Sequence, residues 1–344
     1  MVSPIPATMT VPKFVGGRSI EWGEKEVPIP KAGELLVQVK ANALCGSERP
    51  QHFDGSLVTP GHEAAGVIVA AGPGTKFKTG TPGVIFLMDF CGACRNCRTG
   101  HTNQCLNKRA DMGFNRDGGY GPYELVHENI FFPVDTDLSL TDATMLLDVM
   151  GTTAHAFRRA EMVHHDIGSI LISGAGPIGL GLAAMALARY EKRVPVYISD
   201  IVAYRLELAA SFGAVPIDVS TQTLQERLRA LGAPGVDLVV DSTGKSAARQ
   251  AGLDSLNQRG VFVCVGHGEA LTLQVSKDMI APERAVMGSE YFQFSELKDN
   301  LALLRKDPGY WRRIITHRFP LKDINQAFEL FWTGKTGKVV IEHA

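Results

Sequence analysis

The sequence lacks the features of a chain that crosses a membrane or binds its surface. It has no run of about 18 uncharged apolar residues, and its start, MVSPIPATMTVPKF, contains no basic segment followed by an apolar core. We therefore expect neither a signal peptide nor a membrane span, and a cytoplasmic protein. An excess of one charge is also missing, because 35 Lys and Arg stand against 36 Asp and Glu. This balance argues against a nucleic-acid or membrane partner.

Internal repeats and low-complexity segments are absent as well, so a solenoid and a disordered linker protein are excluded. The chain has 344 residues, of which 45% are apolar and 21% charged. That composition is typical of globular proteins, and that length favours two domains. Residues 1–150 predict a β-rich domain, with short apolar or alternating runs between Gly and Pro at 34–40, 64–70, 83–88 and 123–127.

The texture of the sequence changes at about residue 151, where predicted strands and helices begin to alternate. This rhythm indicates βαβ units around a parallel sheet over 151–291. The tail at 292–344 contains a helix and a last strand at 338–342, and we expect it to return to the first domain. The predicted organisation is therefore a domain made of 1–150 and 292–344, and a second domain made of 151–291.

Cysteine is scarce but clustered. The chain has six, at Cys45, Cys91, Cys94, Cys97, Cys105 and Cys264. The spacing C-x2-C-x2-C-x7-C from residue 91 to residue 105 can supply four thiolates to one tetrahedral zinc, which leaves no open position and so makes the site structural. An iron–sulfur cluster and a nucleic-acid-binding zinc ribbon are the alternatives, and the near-neutral chain argues against the second.

A glycine-rich turn lies at the start of the second predicted domain. Its residues are Gly174, Ala175, Gly176, Pro177, Ile178 and Gly179. The turn follows a strand and opens a helix, the context that a dinucleotide fingerprint requires. Asp200 ends the next strand, where a carboxylate binds the ribose hydroxyls of NAD and repels the 2′-phosphate of NADP. Arg205 either contacts the adenosine or is a solvated helix residue.

Several motifs in a fixed order identify a family. They are Cys45-Gly-Ser, Gly-His62-Glu63, the four-cysteine segment, GAGPIG at 174–179, Asp200, DSTG at 241–244 and the tail ITHRFPLKDINQAFEL. Together they resemble the zinc-dependent medium-chain alcohol and polyol dehydrogenases, such as sorbitol dehydrogenase, over nearly the whole chain. The resemblance implies an α/β protein with a GroES-like β-rich catalytic domain and a Rossmann domain with a doubly wound parallel sheet.

The resemblance also implies the chemistry of the first domain. Cys45, His62 and Asp148 are expected to bind a catalytic zinc, and Glu63 is a nearby carboxylate that coordinates transiently. One thiolate and one carboxylate keep the site formally neutral, and an open position on zinc binds an alcohol and lowers its pKa. We thus expect two zinc ions per chain, one catalytic and one structural, with NAD as hydride acceptor.

Further roles follow from the same resemblance. Ser47 is the expected first proton acceptor. His52 is a candidate for the next relay position or for a substrate contact, although relatives often have the histidine where this chain has Pro50. Thr243, Val265 and Gly266 are expected to flank the cofactor, the last two at the nicotinamide. The family also suggests a homodimer or homotetramer.

The substrate is predicted from polar residues that the fold is expected to bring to the cleft. They are Ser47, Glu48, Arg49, Gln51, His52, Asn115, Arg116, Asp117, Glu290 and Tyr291. Such a lining favours a sugar, polyol or (amino)cyclitol over a plain aliphatic alcohol. The alternatives are a general secondary alcohol dehydrogenase or an L-threonine 3-dehydrogenase-like enzyme. A zinc-free quinone reductase or a non-catalytic binding protein is disfavoured, because neither would require the predicted zinc ligands Cys45, His62 and Asp148.

Overall fold

The chain divides between Asp148 and Val149 into two units in the computed structural model, which describes residues 4–191 and 193–344. The first unit runs to Asp148 and takes in Gln293–Thr333 and Lys338–Ala344. The second unit consists of Val149–Phe292 and Gly334–Gly337. The tail thus rejoins the first unit, except for four residues that belong to the second.

The first unit begins with β-strands and a few short helices. The strands are β1 (Thr8–Gly16), β2 (Ser19–Glu26), β3 (Glu34–Ala43), β4 (Ala64–Ala71), β5 (Pro82–Ile85), β6 (Met88–Asp89), β7 (Ala110–Asp111), β8 (Tyr123–His127) and β9 (Phe131–Pro133). The helices are α1 (Arg49–Asp54), α2 (Arg95–Arg98) and α3 (Leu140–Ala143).

The apolar run at 83–88 forms two strands that lie in different sheets. β5 pairs with β9 only as far as Ile85, and β6 then pairs with β7 at Met88 and Asp89. Between them the amide of Phe86 donates to the carbonyl of Ile130 at 2.8 Å. The apolar run is continuous, but its backbone partners change after Ile85.

The second unit alternates helix and strand. Its elements are α4 (Thr153–Glu161), β10 (Ile170–Ser173), α5 (Pro177–Arg189), β11 (Val196–Asp200), α6 (Ala203–Phe212), β12 (Val215–Asp218), α7 (Leu224–Ala230), β13 (Val236–Asp241), α8 (Ser246–Asp254), β14 (Leu256–Cys264) and β15 (Ala285–Gly288). All six strands are parallel, in the order β12-β11-β10-β13-β14-β15. Counted within the unit this order is 3-2-1-4-5-6, that of dinucleotide-binding sheets, with its switch point between β10 and β13.

The returning tail completes the sheet of the first unit. It contains α9 (Leu297–Lys306), α10 (Pro308–Arg312), β16 (Ile315–Pro320), α11 (Ile324–Trp332) and β17 (Lys338–Glu342). β17 pairs antiparallel with β3, in a seven-stranded sheet that runs β16-β17-β3-β4-β5-β9 with β8 also on β3. The last strand therefore lies beside the strand that leads to Cys45.

The helices of the described chain are short or amphipathic. None of them, within residues 4–191 and 193–344, has the length and apolar character needed to cross a bilayer.

Candidate metal centres and dinucleotide site

Four metal-binding side chains from three separate segments meet inside the first unit. Cys45 follows β3, His62 and Glu63 precede β4, and Asp148 begins a π-helical turn. One ligand atom from each lies within 4.8 Å of the others, and all four residues are buried. Residues that are far apart in sequence therefore form one compact donor set.

The donor set fits a divalent cation. The Asp148 Oδ2 atom lies 3.3 Å from the Cys45 sulfur and 3.4 Å from His62 Nε2. Asp148 Oδ1 and Glu63 Oε2 are buried and have no hydrogen-bond partner in the described part of the chain. Burial, followed by the Asp148 charge, raises the pKa of Cys45 and the pKa of Glu63, so the cluster is short of positive charge. One thiolate, one imidazole and one carboxylate are a ligand set that zinc accepts.

The glycine before His62 is needed for the local backbone. Gly61 has φ +102°, and a Cβ atom there would lie 2.7 Å from the amide nitrogen of Tyr120. The carbonyl of Gly61 accepts from the amide of Gly119 at 2.8 Å. A residue with a side chain would be strained and would push this loop away, so the Gly-His-Glu motif fixes the position of His62.

Glu48 links two of the four donors, a role that the sequence did not reveal. Its Oε1 atom lies 3.1 Å from His62 Nδ1, and its Oε2 atom accepts from the amide of Cys45 at 3.3 Å and from the Tyr120 hydroxyl at 2.7 Å. The prediction that Glu48 faces the substrate is wrong, because the residue is fully buried. A carboxylate on the second imidazole nitrogen orients a ligating histidine.

Lys338 is a second residue that sequence reasoning missed. The first residue of β17, it is fully buried, and its ammonium group pairs with Glu63. Burial lowers the pKa of Lys338, but the Glu63, Cys45 and Asp148 charges more than offset this and raise it to about 12. A charged residue at the head of a buried strand was the available signal, yet its partner is 275 positions away.

The two proton-relay candidates have different surroundings. Ser47 is exposed, in the short 3-10 turn Gly46–Glu48. His52 is 1% exposed, stacks on Phe328 with ring centres 4.7 Å apart, and accepts from Trp332 Nε1 at 3.0 Å. Burial, followed by the Arg18 charge, lowers the pKa of His52 to about 4. The packing of His52 is therefore clear, and its function as a relay stays a prediction.

The polar residues predicted to line the substrate cleft mostly have partners within their own unit. Besides Glu48 and His52, these contacts are Arg49 over the Phe53 ring, Gln51 to the Gly113 carbonyl, Asn115 to the Asp111 amide, Arg116 with Asp89, Asp117 with Lys25, Glu290 with His267, and Tyr291 against Phe292. Gln51 and Tyr291 are also buried. The polar character of these segments thus reflects internal pairing more than a solvated lining, which the sequence could not distinguish.

The four-cysteine segment forms the other donor set. The sulfur atoms of Cys94 and Cys97 are 3.4 Å apart, and Cys97 to Cys91 and Cys94 to Cys105 are each 4.0 Å. These values bracket the edge of about 3.8 Å for a tetrahedron with zinc–sulfur bonds of ~2.3 Å. Amide groups of Cys97 and Leu106 donate to the Cys94 sulfur and lower the pKa of that thiol to about 6. All four thiols are free of disulfides.

The glycine turn of the second unit is built for close approach. Gly174 has φ +91°, and a Cβ atom on Gly179 would lie 1.8 Å from the Gly174 carbonyl oxygen. By contrast, a Cβ atom on Gly176 would have only Arg205 Nη1 within 4 Å, at 4.0 Å. Pro177 and Ile178 form the first turn of α5, whose unpaired amide groups favour an anion. The open space at Gly176 is compatible with the predicted binding of a pyrophosphate at this turn.

Asp200 lies at the end of β11, beside that turn. Its Oδ2 atom accepts from the Ala175 amide at 2.7 Å, and Oδ1 accepts from the amides of Ile201 and Val202 at 2.7 and 2.9 Å. Arg205 Nη1 is 4.0 Å from Asp200 Oδ2. Arg205 thus faces Asp200 and Gly176, which favours the adenosine-contact interpretation over that of a solvated helix residue.

The other predicted cofactor residues follow β13 and β14. Thr243 lies against the glycine turn, with its Cγ2 atom 2.8 Å from where a Gly174 Cβ would be. The amides of Val265 and Gly266 both donate to the Asp241 carbonyl at 2.9 Å. The structure therefore brings Thr243, Val265 and Gly266 to the carboxyl edge of the parallel sheet, where open α/β sheets bind ligands.

Comparison with known proteins gives two family matches. Residues 31–136 match the alcohol dehydrogenase GroES-like domain, and residues 179–306 match the zinc-binding dehydrogenase domain. The first lies within the first unit, and most of the second lies within the second unit.

Individual relatives cover almost the whole chain. L-threonine 3-dehydrogenase of Shewanella baltica is 30% identical over 91% of this chain and 93% of its own. The zinc-type alcohol dehydrogenase-like protein YphC of Escherichia coli K12 is 29% identical over 97% and 98%. The structure of an E. coli CFT073 alcohol dehydrogenase, rspB, in complex with NADH superposes with a TM-score of 0.88 at 24% identity, covering 98% and 100%. The last comparison confirms the predicted fold.

The removal of Asp148 is expected to empty one metal site and spare the other. Asp148→Ala should bind one zinc per chain instead of two and lose turnover, because two protein donors hold zinc poorly. Elemental analysis of the purified variant measures this, with the exposed Asp137→Ala as matched control. A variant with two zinc ions and full activity would place the third ligand elsewhere, first at Glu63.

Two glycine substitutions in the same turn are expected to have different effects, one on the stability of the fold and the other on the affinity for NAD. Gly179→Ala should destabilise the fold by about 1–3 kcal/mol, because its methyl group overlaps the Gly174 carbonyl. Gly176→Ala should keep its thermal midpoint but bind NAD on the order of tenfold more weakly, because the methyl group occupies the open space. Thermal unfolding and calorimetric titration with NAD measure the two effects. Equal NAD affinity of Gly176→Ala and the unmodified protein would contradict the assignment of the turn.

Proposed function

Because the chain belongs to the zinc-dependent medium-chain alcohol dehydrogenases, we propose that it oxidises a secondary alcohol with NAD at the cluster of Cys45, His62 and Asp148. The observation that carries this proposal is the convergence of these buried donors on one point, with a carboxylate oxygen left unpaired. The four-cysteine segment would hold a second, structural zinc. A quinone reductase without zinc would not need this donor set.

The residues of the first unit have different proposed roles at the metal site. When bound at this cluster, zinc supplies a Lewis acid that lowers the pKa of an alcohol hydroxyl. Cys45, His62 and Asp148 would hold it with a summed charge of −2, and Glu48 would keep the His62 ring in orientation. Lys338 pairs with one oxygen of Glu63, and the other oxygen has no hydrogen-bond partner among the described residues, so it would be available as a further ligand for a bound zinc.

The proton from the alcohol needs an acceptor that solvent can reach. Ser47 is exposed and two residues from Cys45, which supports its predicted role as first acceptor. His52 would follow only if its unpaired Nε2 atom took part, because Nδ1 accepts from Trp332. A pKa of about 4 keeps the His52 ring neutral at neutral pH, and because Nδ1 is the acceptor for Trp332, the ring carries its proton on Nε2; both facts make His52 a weak proton acceptor.

For the substrate we propose a sugar, a polyol or an (amino)cyclitol oxidised at a secondary carbon. The support is narrower than the sequence suggested, since most of the polar residues have internal partners. What remains in the first unit is Ser47, which is exposed two residues from Cys45. Such a group satisfies a substrate hydroxyl, and an analogue without that hydroxyl would lose about 1–3 kcal/mol per unpaired group.

A second substrate is favoured by one comparison. The 30% identical relative is an L-threonine 3-dehydrogenase, and the threonine hydroxyl is also a secondary alcohol beside polar groups. The two substrate classes therefore share the same chemistry at the reacting carbon.

The proposal includes the setting of the enzyme. We expect it to act in the cytoplasm as a homodimer or homotetramer, on a small molecule, with no nucleic-acid or membrane partner. The net charge of −1 supports the last point.

A substrate panel tests the proposal. NADH formation would be followed with inositols, deoxyinosamines, sorbitol, simple sugars, L-threonine, 2-butanol and cyclohexanol, and kcat/KM compared. Highest kcat/KM with a polyhydroxylated substrate is expected, and L-threonine in first place would support the second candidate. Clear preference for the apolar alcohols would overturn the polyol proposal, and no NADH formation with any of them by zinc-loaded protein would count against the enzyme assignment.

The preference for NAD over NADP is expected to depend on the charge of Asp200. Asp200→Asn keeps an oxygen that can accept from Ala175 but removes the repulsion of a 2′-phosphate. The ratio of kcat/KM for NAD to that for NADP should fall by about tenfold or more, equivalent to about 1.4 kcal/mol. Glu207→Gln, which neutralises an exposed acid on α6, should leave the ratio unchanged. Equal use of both cofactors by the unmodified protein would refute the role of Asp200.

A further inference from the structure

A buried ion pair lies at the switch point of the parallel sheet. Asp241 is the last residue of β13 and is fully buried, and its Oδ2 atom accepts from Arg249 Nε of α8 at 2.8 Å. Arg249 is 8% exposed. Burying such a pair is costly unless the remaining donors and acceptors are also satisfied. The other hydrogen bonds of Asp241 and Arg249 therefore show which parts of the chain the ion pair positions.

The carboxylate of Asp241 organises the loop after β13. It accepts from the amide of Thr243 at 2.9 Å, from the Thr243 hydroxyl at 2.5 Å and from the amide of Gly244 at 3.2 Å. The neighbouring Ser242 hydroxyl donates to the carbonyls of Ser173 and Gly174 at 2.9 and 3.3 Å. This loop is thereby joined directly to the glycine turn that is proposed to bind pyrophosphate.

The guanidinium of Arg249 reaches the loop after β14 as well. Its Nη2 atom donates to the carbonyl of Gly266 and its Nη1 atom to the carbonyl of Glu269. Three of the five guanidinium hydrogens thus hold one carboxylate and two carbonyls, a fork that lysine cannot reproduce. Within the loop 265–269, the amides of Val265 and Gly266 donate to the Asp241 carbonyl, and Glu269 is bonded to Gly244 through its amide and to Lys245 through its side chain. Arg249 adds the contacts to the carbonyls of Gly266 and Glu269.

We propose that Arg249 is a positioning residue for the nicotinamide half of NAD, an inference that rests on NAD being the cofactor. Arg249 does not contact the dinucleotide in this proposal. It fixes the loop 265–269 against the loop 241–244 and thereby positions the Val265 carbonyl, which none of the contacts described above uses, for the nicotinamide. A preformed loop lowers the entropy lost on binding, and the adenosine half, near Asp200, does not depend on it.

Binding of whole and truncated cofactor tests the proposal. Arg249→Lys keeps the charge opposite Asp241, so the fold should survive, but it loses the fork to the two carbonyls. Calorimetric titration should show NAD bound about tenfold more weakly, or about 1.4 kcal/mol, with ADP-ribose affinity unchanged within about twofold, a change well below 1 kcal/mol. Hydrogen exchange should rise at 265–269 and stay constant at 174–179. Arg229→Lys, on the exposed face of α7, is the matched control and should change none of these.

Each other outcome has a distinct meaning. If NAD and ADP-ribose weaken together, Arg249 supports the whole unit and the proposal is overturned. If neither weakens, the loop does not need Arg249, and the proposal is again overturned. If the unmodified protein binds ADP-ribose and NAD with equal affinity, nothing at this edge recognises nicotinamide. If it binds neither, the proposed cofactor itself fails, which is separate from the role of Arg249.

Discussion

The burial of negatively charged ligands around one point is the constraint on which the first unit depends. Cys45, Glu48, Glu63 and Asp148 bring up to four negative charges into an interior that excludes water, and the Lys338 ammonium is the cationic group that pairs with Glu63. Desolvation makes such a cluster expensive without compensation. The Lys338 ammonium compensates part of this charge, a divalent cation would compensate more, and the Cys45 amide and the Tyr120 hydroxyl satisfy one oxygen of Glu48. The same excess of negative charge that is costly to bury gives the site its affinity for metal.

The need for compensation explains why the chain returns to its first unit. β17 enters the sheet beside β3 and brings Lys338 to Glu63, across 275 positions of sequence. The loop around Gly61 packs backbone on backbone and leaves room for Tyr120 under Glu48. The second unit uses the same principle at another place, since Arg249 is tolerated in the interior because Asp241 and two carbonyl groups accept its hydrogens. In both units, a buried ion pair therefore joins separate segments of the chain and fixes their spacing.

Secondary structure was predictable from the sequence where a buried strand is also an apolar run and where strands alternate regularly with helices. The buried strands β10, β11, β13 and β14 are apolar and follow the helix–strand rhythm, which is why the parallel sheet could be foreseen. The prediction missed β12 at one edge of the sheet, because Pro216 within Val215–Asp218 reads as a strand breaker and is tolerated only at an edge. It also missed the hairpin of β1 and β2, where β2 is mostly exposed and charged and shows no apolar alternation.

The sequence by itself was enough to predict the four-cysteine site and the glycine turn, because each is a short motif whose chemistry depends on residue type and local spacing, while the donors Cys45, His62 and Asp148 were predicted from the family resemblance. The tertiary structure alone decided what the remaining polar residues do. Glu48 and Gln51 are buried, and Asp117 pairs with Lys25, although all three were expected at the substrate. Lys338, Tyr120 and Arg249 drew no prediction, yet each completes a buried charge. The physical reason is that such pairing depends on which strands and loops become neighbours, and that information lies in sheet register and loop packing over tens to hundreds of residues.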